Sequence, residues 1–305
     1  MPIGVIYMAV IEVKNLTKRY GKSRGIEDVS IEVKEGEIFG FIGPNGSGKS
    51  TFIRTLLNFL YPTSGSGNVL GFDIERESHK LKEKVGYVPS EVKYYEETKV
   101  VDLIEYAKSF YSEVDECYID MIVQDLKVDL DKKIGELSYG NKKKVAIVQA
   151  LMGSPKLLIL DEPTNGLDPL IQKKLFEVLR KEKEKGNTVF LSSHNLTEVE
   201  SLCDRVAIIK QGRIVDTVDL SVLKEQFGLV VEVSGDLTKE DVLKISKEMM
   251  LESESHYIFT YSGDVNSLVD WAKDYSLKKL LVEEQNLESE FMKYYLGEGE
   301  GYERV

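Results

Sequence analysis

Apolar residues alternate with polar ones over Val10–Val13 and Val29–Val33, and a nearly unbroken apolar run covers Glu37–Ile42. A period of two and a short closed run both predict strands. Lys34-Glu35-Gly36 is a turn signal between them, so residues 9–42 read as an antiparallel β layer. From Ser50 to Leu60 (STFIRTLLNFL) the spacing becomes helical, and short strands follow near Asn68–Phe72 and at Lys84–Val88. Residues 90–153 differ in kind. They carry helical patterns around Val101–Phe110, Glu116–Leu126 and Asn141–Met152 with little strand signal, which predicts a helical insertion. Alternation of strand and helix then resumes, with strands at 157–160, 188–191 and 205–210 separated by helices at 169–185 and 195–202. Gln211-Gly212 reads as a hairpin turn leading into a last core strand, Arg213–Asp216.

A second pattern begins near residue 220. Strands are expected at Leu229–Val233, Tyr257–Tyr261 and Lys279–Val282, with helices at 239–251, 265–275 and 287–296. This stretch holds 18 acidic and 9 basic residues, three quarters of the net charge of −12, and reads as a separate small α/β domain. The expected partition is a tail at 1–8, a main domain at 9–219 with its helical subdomain at about 90–153, and an accessory or regulatory domain at 220–305.

Composition narrows the function classes. A chain of 305 residues with 42% hydrophobic content has ample material for a core. An acidic balance argues against a nucleic-acid surface. Cys117 and Cys203 lie in no C-x-x-C or Cys/His cluster, so neither a disulfide framework nor a zinc site is implied, and a reducing cytoplasm is expected. No apolar run approaches the roughly 18 residues that span a bilayer. The opening MPIGVIYM is too short, and lacks the basic start, for a signal peptide.

Chemistry enters with Gly43-Pro44-Asn45-Gly46-Ser47-Gly48-Lys49-Ser50, which fits the phosphate-loop pattern G-x-x-x-x-G-K-S/T between a predicted strand and a predicted helix. A triphosphate is polyanionic, so such a loop turns main-chain N–H groups inward, and Gly43, Gly46 and Gly48 let the backbone come close. Lys49 brings a cation to the β and γ phosphates. The Ser50 hydroxyl and the Asp161 carboxylate, at the end of the apolar strand Leu157–Leu160, can hold Mg²⁺ from opposite sides. Glu162 remains for the attacking water. The chain is expected to bind and hydrolyse a nucleoside triphosphate.

Further short motifs share this order. Leu137-Ser138-Tyr139-Gly140-Asn141 opens a helix, Asn165-Gly166-Leu167-Asp168-Pro169 follows the carboxylates, and Ser192-Ser193-His194 ends a strand. Together with the phosphate loop, residues 9–219 resemble the nucleotide-binding subunit of ATP-binding cassette (ABC) transporters. The C-terminal segment Glu283–Tyr295 is similar to the tail of the branch that exports drugs, antibiotic peptides, lipids or sodium. The resemblance implies an α/β P-loop NTPase core with an N-terminal antiparallel β layer, an inserted helical subdomain and a small C-terminal α/β domain. It implies ATP and Mg²⁺, with Gly43–Thr51 on the phosphates, Tyr20 on adenine, Glu162 polarising water and His194 sensing the γ-phosphate. It also implies that Ser138, Gly140 and Asp168 face the nucleotide of a second copy, or of a similar cassette, in a head-to-tail dimer. Membrane-spanning permease subunits are the other implied partners, docked through residues 90–135, with the chain peripheral on the cytoplasmic face of the membrane.

Plainer readings stand beside these. Ser138 and Asp168 are good helix N-caps in their own right. Tyr20 could be a strand-edge aromatic, His194 a surface histidine, and Lys142-Lys143-Lys144 reads as a solvated helix face. Where the family places a glutamine after Lys84–Pro89, this chain has Ser90, followed by Glu91; either could reach Mg²⁺, or Glu91 could be a solvated loop charge. Tyr139 and Asn141 also depart from the LSGGQ signature. A soluble ATPase of the same fold acting on ribosomes or DNA is disfavoured by the single cassette, the lack of a long coiled-coil insertion and the acidic charge. An importer subunit stays open, because direction is set by the membrane partner.

Overall fold

The computed structural model describes residues 9–284 apart from 22, 227 and 254. In chain order the elements are β1 (Ala9–Tyr20), β2 (Ser23–Lys34), β3 (Ile38–Ile42), α1 (Lys49–Leu56), β4 (Ser64–Val69), β5 (Phe72–Asp73), α2 (Ser78–Lys82) and β6 (Val85–Val88). A helical stretch follows: α3 (Val100–Lys108), α4 (Glu116–Asp125), a 3-10 turn at Ile134–Glu136 and α5 (Tyr139–Leu151). Then come β7 (Leu157–Asp161), α6 (Pro169–Glu184), β8 (Thr188–Ser193), α7 (Leu196–Leu202), β9 (Arg205–Lys210) and β10 (Arg213–Asp219). The chain divides into two units, Met1–Val218 and Asp219–Val305.

The sequence reading places Glu37–Ile42 in the antiparallel layer, and the structure corrects this. β3 lies inside a six-stranded sheet of order β10-β9-β3-β8-β7-β6, parallel to β8 on one side and β9 on the other. Its five residues are all buried, as are those of β7 and β8. Continuous burial suits a parallel strand covered on both faces, whereas a layer with one wet face needs alternation. The antiparallel sheet has the order β2-β1-β4-β5, so two of its strands come from beyond the phosphate loop. The short strand expected near Asn68–Phe72 is in fact two, β4 and β5, reversed at Leu70–Gly71, where both residues have positive φ.

Between the two sheets lies a core that takes residues from β1, β2, β3, β7, β8 and α1. Four rings, Phe39, Phe41, Phe52 and Phe190, meet there with centroid separations of 4.8 to 5.9 Å. Phe52 is the α1 member and is fully buried; truncating it to Ala would cost about 3–5 kcal/mol. That packing fixes the helix that the phosphate loop enters. In the helical stretch, Asp115 caps α4 by accepting from the Tyr118 N–H, and Ser138 caps α5. Among the described residues no helix is long and apolar enough to cross a membrane.

The second unit contains α8 (Leu220–Gln226), β11 (Leu229–Asp236), α9 (Lys239–Leu243), β12 (Glu248–Ser253), β13 (His256–Tyr261), α10 (Val265–Ala272) and β14 (Ser276–Glu284). Its antiparallel sheet has the order β12-β13-β11-β14. Val231, Val233, Phe259, Val242 and Leu268 are its core. The helix expected over 239–251 stops at Leu243, because Glu248–Ser253 pairs with β13 instead. Met249 lies opposite Phe259 in that ladder, and cross-strand packing outweighs the helical preference of methionine and leucine. The helix expected at 287–296 lies outside the described residues.

Candidate nucleotide site

The loops after β3, β7 and β8 leave the same edge of the parallel sheet, the carboxyl ends of the strands, where ligands of such sheets bind. After β3 the chain turns through Gly43–Ser47, with the Ser47 N–H donating to Pro44 O at 3.1 Å. Gly48 begins α1 at a φ of +113°, and a Cβ there would lie 2.9 Å from Gly25 O. Only glycine takes that conformation without strain. No side chain caps α1, so its first turn presents main-chain N–H groups and the positive end of the helix dipole. Lys49 is 6% exposed. Its Nζ donates to Gly43 O at 2.6 Å and Pro44 O at 3.3 Å, and lies 3.1 Å from Glu162 Oε1.

β7 delivers the two carboxylates. Asp161 is fully buried; its Oδ1 accepts from Ser192 Oγ at 2.7 Å, and its Oδ2 has no hydrogen-bond partner among the described residues. Glu162 breaks from the strand at a φ of +50°, an uncommon conformation for a side chain of this size. Its N–H donates to Ser192 O and Ser192 Oγ at 3.2 and 3.1 Å, and its Oε2 accepts from His194 Nδ1 at 2.7 Å. The parallel register sets Asp161 beside Ser192, so one serine orients both acidic residues. The role of Ser192 is not legible in the sequence, where its signal is a polar pair ending a buried strand. Below them, Thr164 Oγ1 and Ser193 Oγ both donate to Glu198 Oε2 at 2.9 Å, while burial pushes the Glu198 carboxyl above the ordinary carboxylate range.

A cavity of about 350 Å³ opens here, within the size range of small-ligand sites. Asn45, Gly46, Gly48, Lys49, Ser50, Thr51, Tyr20, Ser90 and Glu162 line it, as do Gly25 and Asn165, which the sequence reading did not assign. Gly43, Pro44 and Ser47 shape the turn without lining the cavity. Glu91 does not reach it: its carboxylate is 67% exposed and pairs with Lys93 at 3.4 Å. Among the described residues no three His, Cys, Asp or Glu side chains gather as a metal cluster. Mg²⁺ nonetheless fits the donors present. It usually takes one or two protein oxygens beside substrate phosphates, and Asp161 offers a buried carboxylate oxygen with no hydrogen-bond partner among the described residues.

Ser138, Gly140 and Asp168 do not line this cavity. Ser138 is exposed and accepts from the Asn141 N–H at 3.3 Å; Asp168 accepts from the Leu170 and Ile171 N–H groups, both at 3.1 Å, and caps α6. The start of α5 rests on the loop before α6: a Cβ on Gly140 would come 2.0 Å from Gly166 O. The lysine run corrects the sequence reading. Lys143 is fully buried and Lys144 is 8% exposed. Lys143 Nζ donates to Pro89 O at 2.8 Å and Ser90 O at 2.6 Å. Burial pushes its pKa down to about 8, although the charges of Asp161 and Glu162 act the other way.

A family profile described as ABC transporter matches residues 26–165. The chain is 32% identical to the bacitracin transport ATP-binding protein BcrA of Bacillus licheniformis, over 93% of this chain and 96% of that one. It is 31% identical to the Nod factor export ATP-binding protein I of Rhizobium johnstonii, over 96% of each. A solved structure of an ATP-binding subunit of an ABC transporter superposes with a TM-score of 0.65 at 30% identity, covering 71% of this chain and 92% of that one.

Proposed function

The chain belongs to the ABC transporter family as an ATP-binding, ATP-hydrolysing subunit, and from that premise we propose that it powers export through separate membrane-spanning subunits. The name of the Nod factor relative supports export, and that of the bacitracin relative supports transport. On this reading the chain works at the cytoplasmic face of the cell membrane, peripheral to its partners. Residues 220–305 serve as an accessory domain outside the chemistry.

The observation that carries the site assignment is convergence at the start of α1. Lys49, Ser50 and Glu162 share one cavity, and Asp161, which precedes Glu162 in sequence, keeps an oxygen with no hydrogen-bond partner among the described residues. Lys49 exchanges Glu162 for the β and γ phosphates when the triphosphate enters, a stronger charge-assisted partner. The N–H groups of Gly46–Thr51 wrap the phosphates. Ser50 and Asp161 are the residues that would hold Mg²⁺, which supplies charge neutralisation at the phosphates. Glu162, once released by Lys49, orients the attacking water. His194 holds Glu162 in place and contacts the γ-phosphate. Tyr20, 45% exposed at the cavity rim, stacks on adenine.

Ser138, Gly140 and Asp168 face the nucleotide of a second copy, so two chains complete each site. Size-exclusion chromatography of Glu162→Gln with ATP and Mg²⁺ tests this: a trapped dimer is expected, and a chain that binds ATP yet stays monomeric counts against it. Recovery of a polytopic membrane protein with the tagged chain tests the transporter assignment.

A further inference from the structure

We propose that Lys143 is a positioning residue for ATP hydrolysis, acting with Tyr139 to hold the Ser90 main chain at the nucleotide cavity. The proposal rests on the reading that this cavity hydrolyses ATP, and goes beyond it by assigning work to a side chain outside the cavity lining.

β6 ends at Val88, and the next regular element is α3 at Val100. No ladder or helix therefore places Ser90. What holds it comes from α5: Lys143 Nζ donates to the carbonyls of Pro89 and Ser90, and the Tyr139 hydroxyl donates to the same Ser90 carbonyl. Tyr139 and Lys143 are four residues apart on one helix face, and the Lys143 ammonium sits 5.6 Å from the Tyr139 ring centroid. Two donors on one carbonyl fix the rotation of that peptide.

The lysine is otherwise hard to account for. Burying an ammonium completely costs free energy that an aliphatic side chain of similar length would not. Both of its hydrogen bonds end on main-chain carbonyls rather than on a carboxylate. Serine supplies the reason that position matters here. A long side chain can reach its target from an imprecise backbone, but a short one acts only where its own main chain is set, and errors near 1 Å cost heavily in catalysis. Ser138, the cap of α5, adjoins Tyr139. On the dimer reading, a shift of Ser138 against the second nucleotide therefore moves the group that sets Ser90 in the first.

The test compares wild type, Lys143→Met and Tyr139→Phe as full chains, measuring ATP affinity, kcat, KM and thermal midpoint. Tyr139 is 44% exposed, so its variant loses one hydroxyl without disturbing the core. Expected is a fall in kcat of about tenfold or more for Lys143→Met and about threefold for Tyr139→Phe, with KM and ATP affinity within about twofold. The thermal midpoints should not fall in parallel. Unchanged kcat in Tyr139→Phe overturns the proposal even if Lys143→Met does not fold. Effects confined to KM, or to the folded fraction, also overturn it. Absence of wild-type turnover would instead defeat the reading of the cavity itself.

Discussion

Lys49 Nζ lies 3.1 Å from Glu162 Oε1, and both side chains are more than nine-tenths buried. The residue proposed to meet phosphate and the residue proposed to meet water thus neutralise each other, and removing either leaves the other without its opposite charge in a buried place, held only by the Gly43 and Pro44 carbonyls or by His194. Lys49→Ala is expected to abolish ATPase activity and weaken ATP binding severely. Glu162→Gln is expected to keep ATP binding while lowering turnover by about 10² to 10⁴. Isothermal titration alongside steady-state assays separates the two; equal ATP affinity in Lys49→Ala and wild type would defeat the phosphate-loop assignment.

Ser192 donates to Asp161 Oδ1 at 2.7 Å and accepts from the Glu162 N–H at 3.1 Å. It orients the carboxylate proposed to hold Mg²⁺ and is not itself among the proposed ligands. Ser192→Ala should therefore raise the Mg²⁺ concentration for half-maximal ATPase by about tenfold, the usual scale for an outer-shell partner. An unchanged Mg²⁺ titration would mean that Asp161 is held by its strand alone.

Glu198 gives a pH dependence with a definite sign. Burial raises its folded-state pKa above the ordinary 4.5, so the folded chain favours the neutral carboxyl. Its stabilising contribution is present below about pH 4 and is lost as pH rises through the folded pKa. Glu198→Gln keeps an acceptor for Thr164 and Ser193 while removing the charge. Its thermal midpoint should exceed wild type by roughly 1–3 °C at pH 7–8, and the gain should vanish towards pH 4. A gain independent of pH would point to packing instead.

The two cysteines should differ in reactivity. Cys117 is exposed, whereas Cys203 is buried and its thiol is pushed well above the usual range by burial and nearby carboxylates. A maleimide should label one thiol in the native chain and two in denaturant, because the thiolate is the nucleophile. Native labelling of Cys203 would show that α7 opens in solution.

What could be read from the sequence was local. The phosphate loop, the carboxylates after Leu157–Leu160 and the caps Ser138 and Asp168 depend on residues a few positions apart, and the structure has those elements in place. Partners far along the chain were not legible. Glu37–Ile42 is a strand by its own pattern, but its membership of the parallel sheet is set by β8 and β9, some 150 residues on. Lys143 reads as solvated among Lys142 and Lys144 because its acceptors, Pro89 and Ser90, lie more than 50 residues away. Ser192 gained its role only through the register that sets it beside Asp161. Glu248–Ser253 became a strand because β13 was there to pair with it.

The close approach of Gly140 to the Gly166 carbonyl, 2.0 Å from where a Cβ would stand, bears on how such subunits could be recombined. Ser138 and Asp168 sit two residues from these glycines, so the surfaces they present form one mortise rather than two independent motifs. A transplant of Leu137–Asn141 alone into another cassette would land on a loop cut for a different joint. The transferable module is the signature together with Asn165–Asp168, and a chimera carrying both halves should accept a foreign partner where either half alone would not.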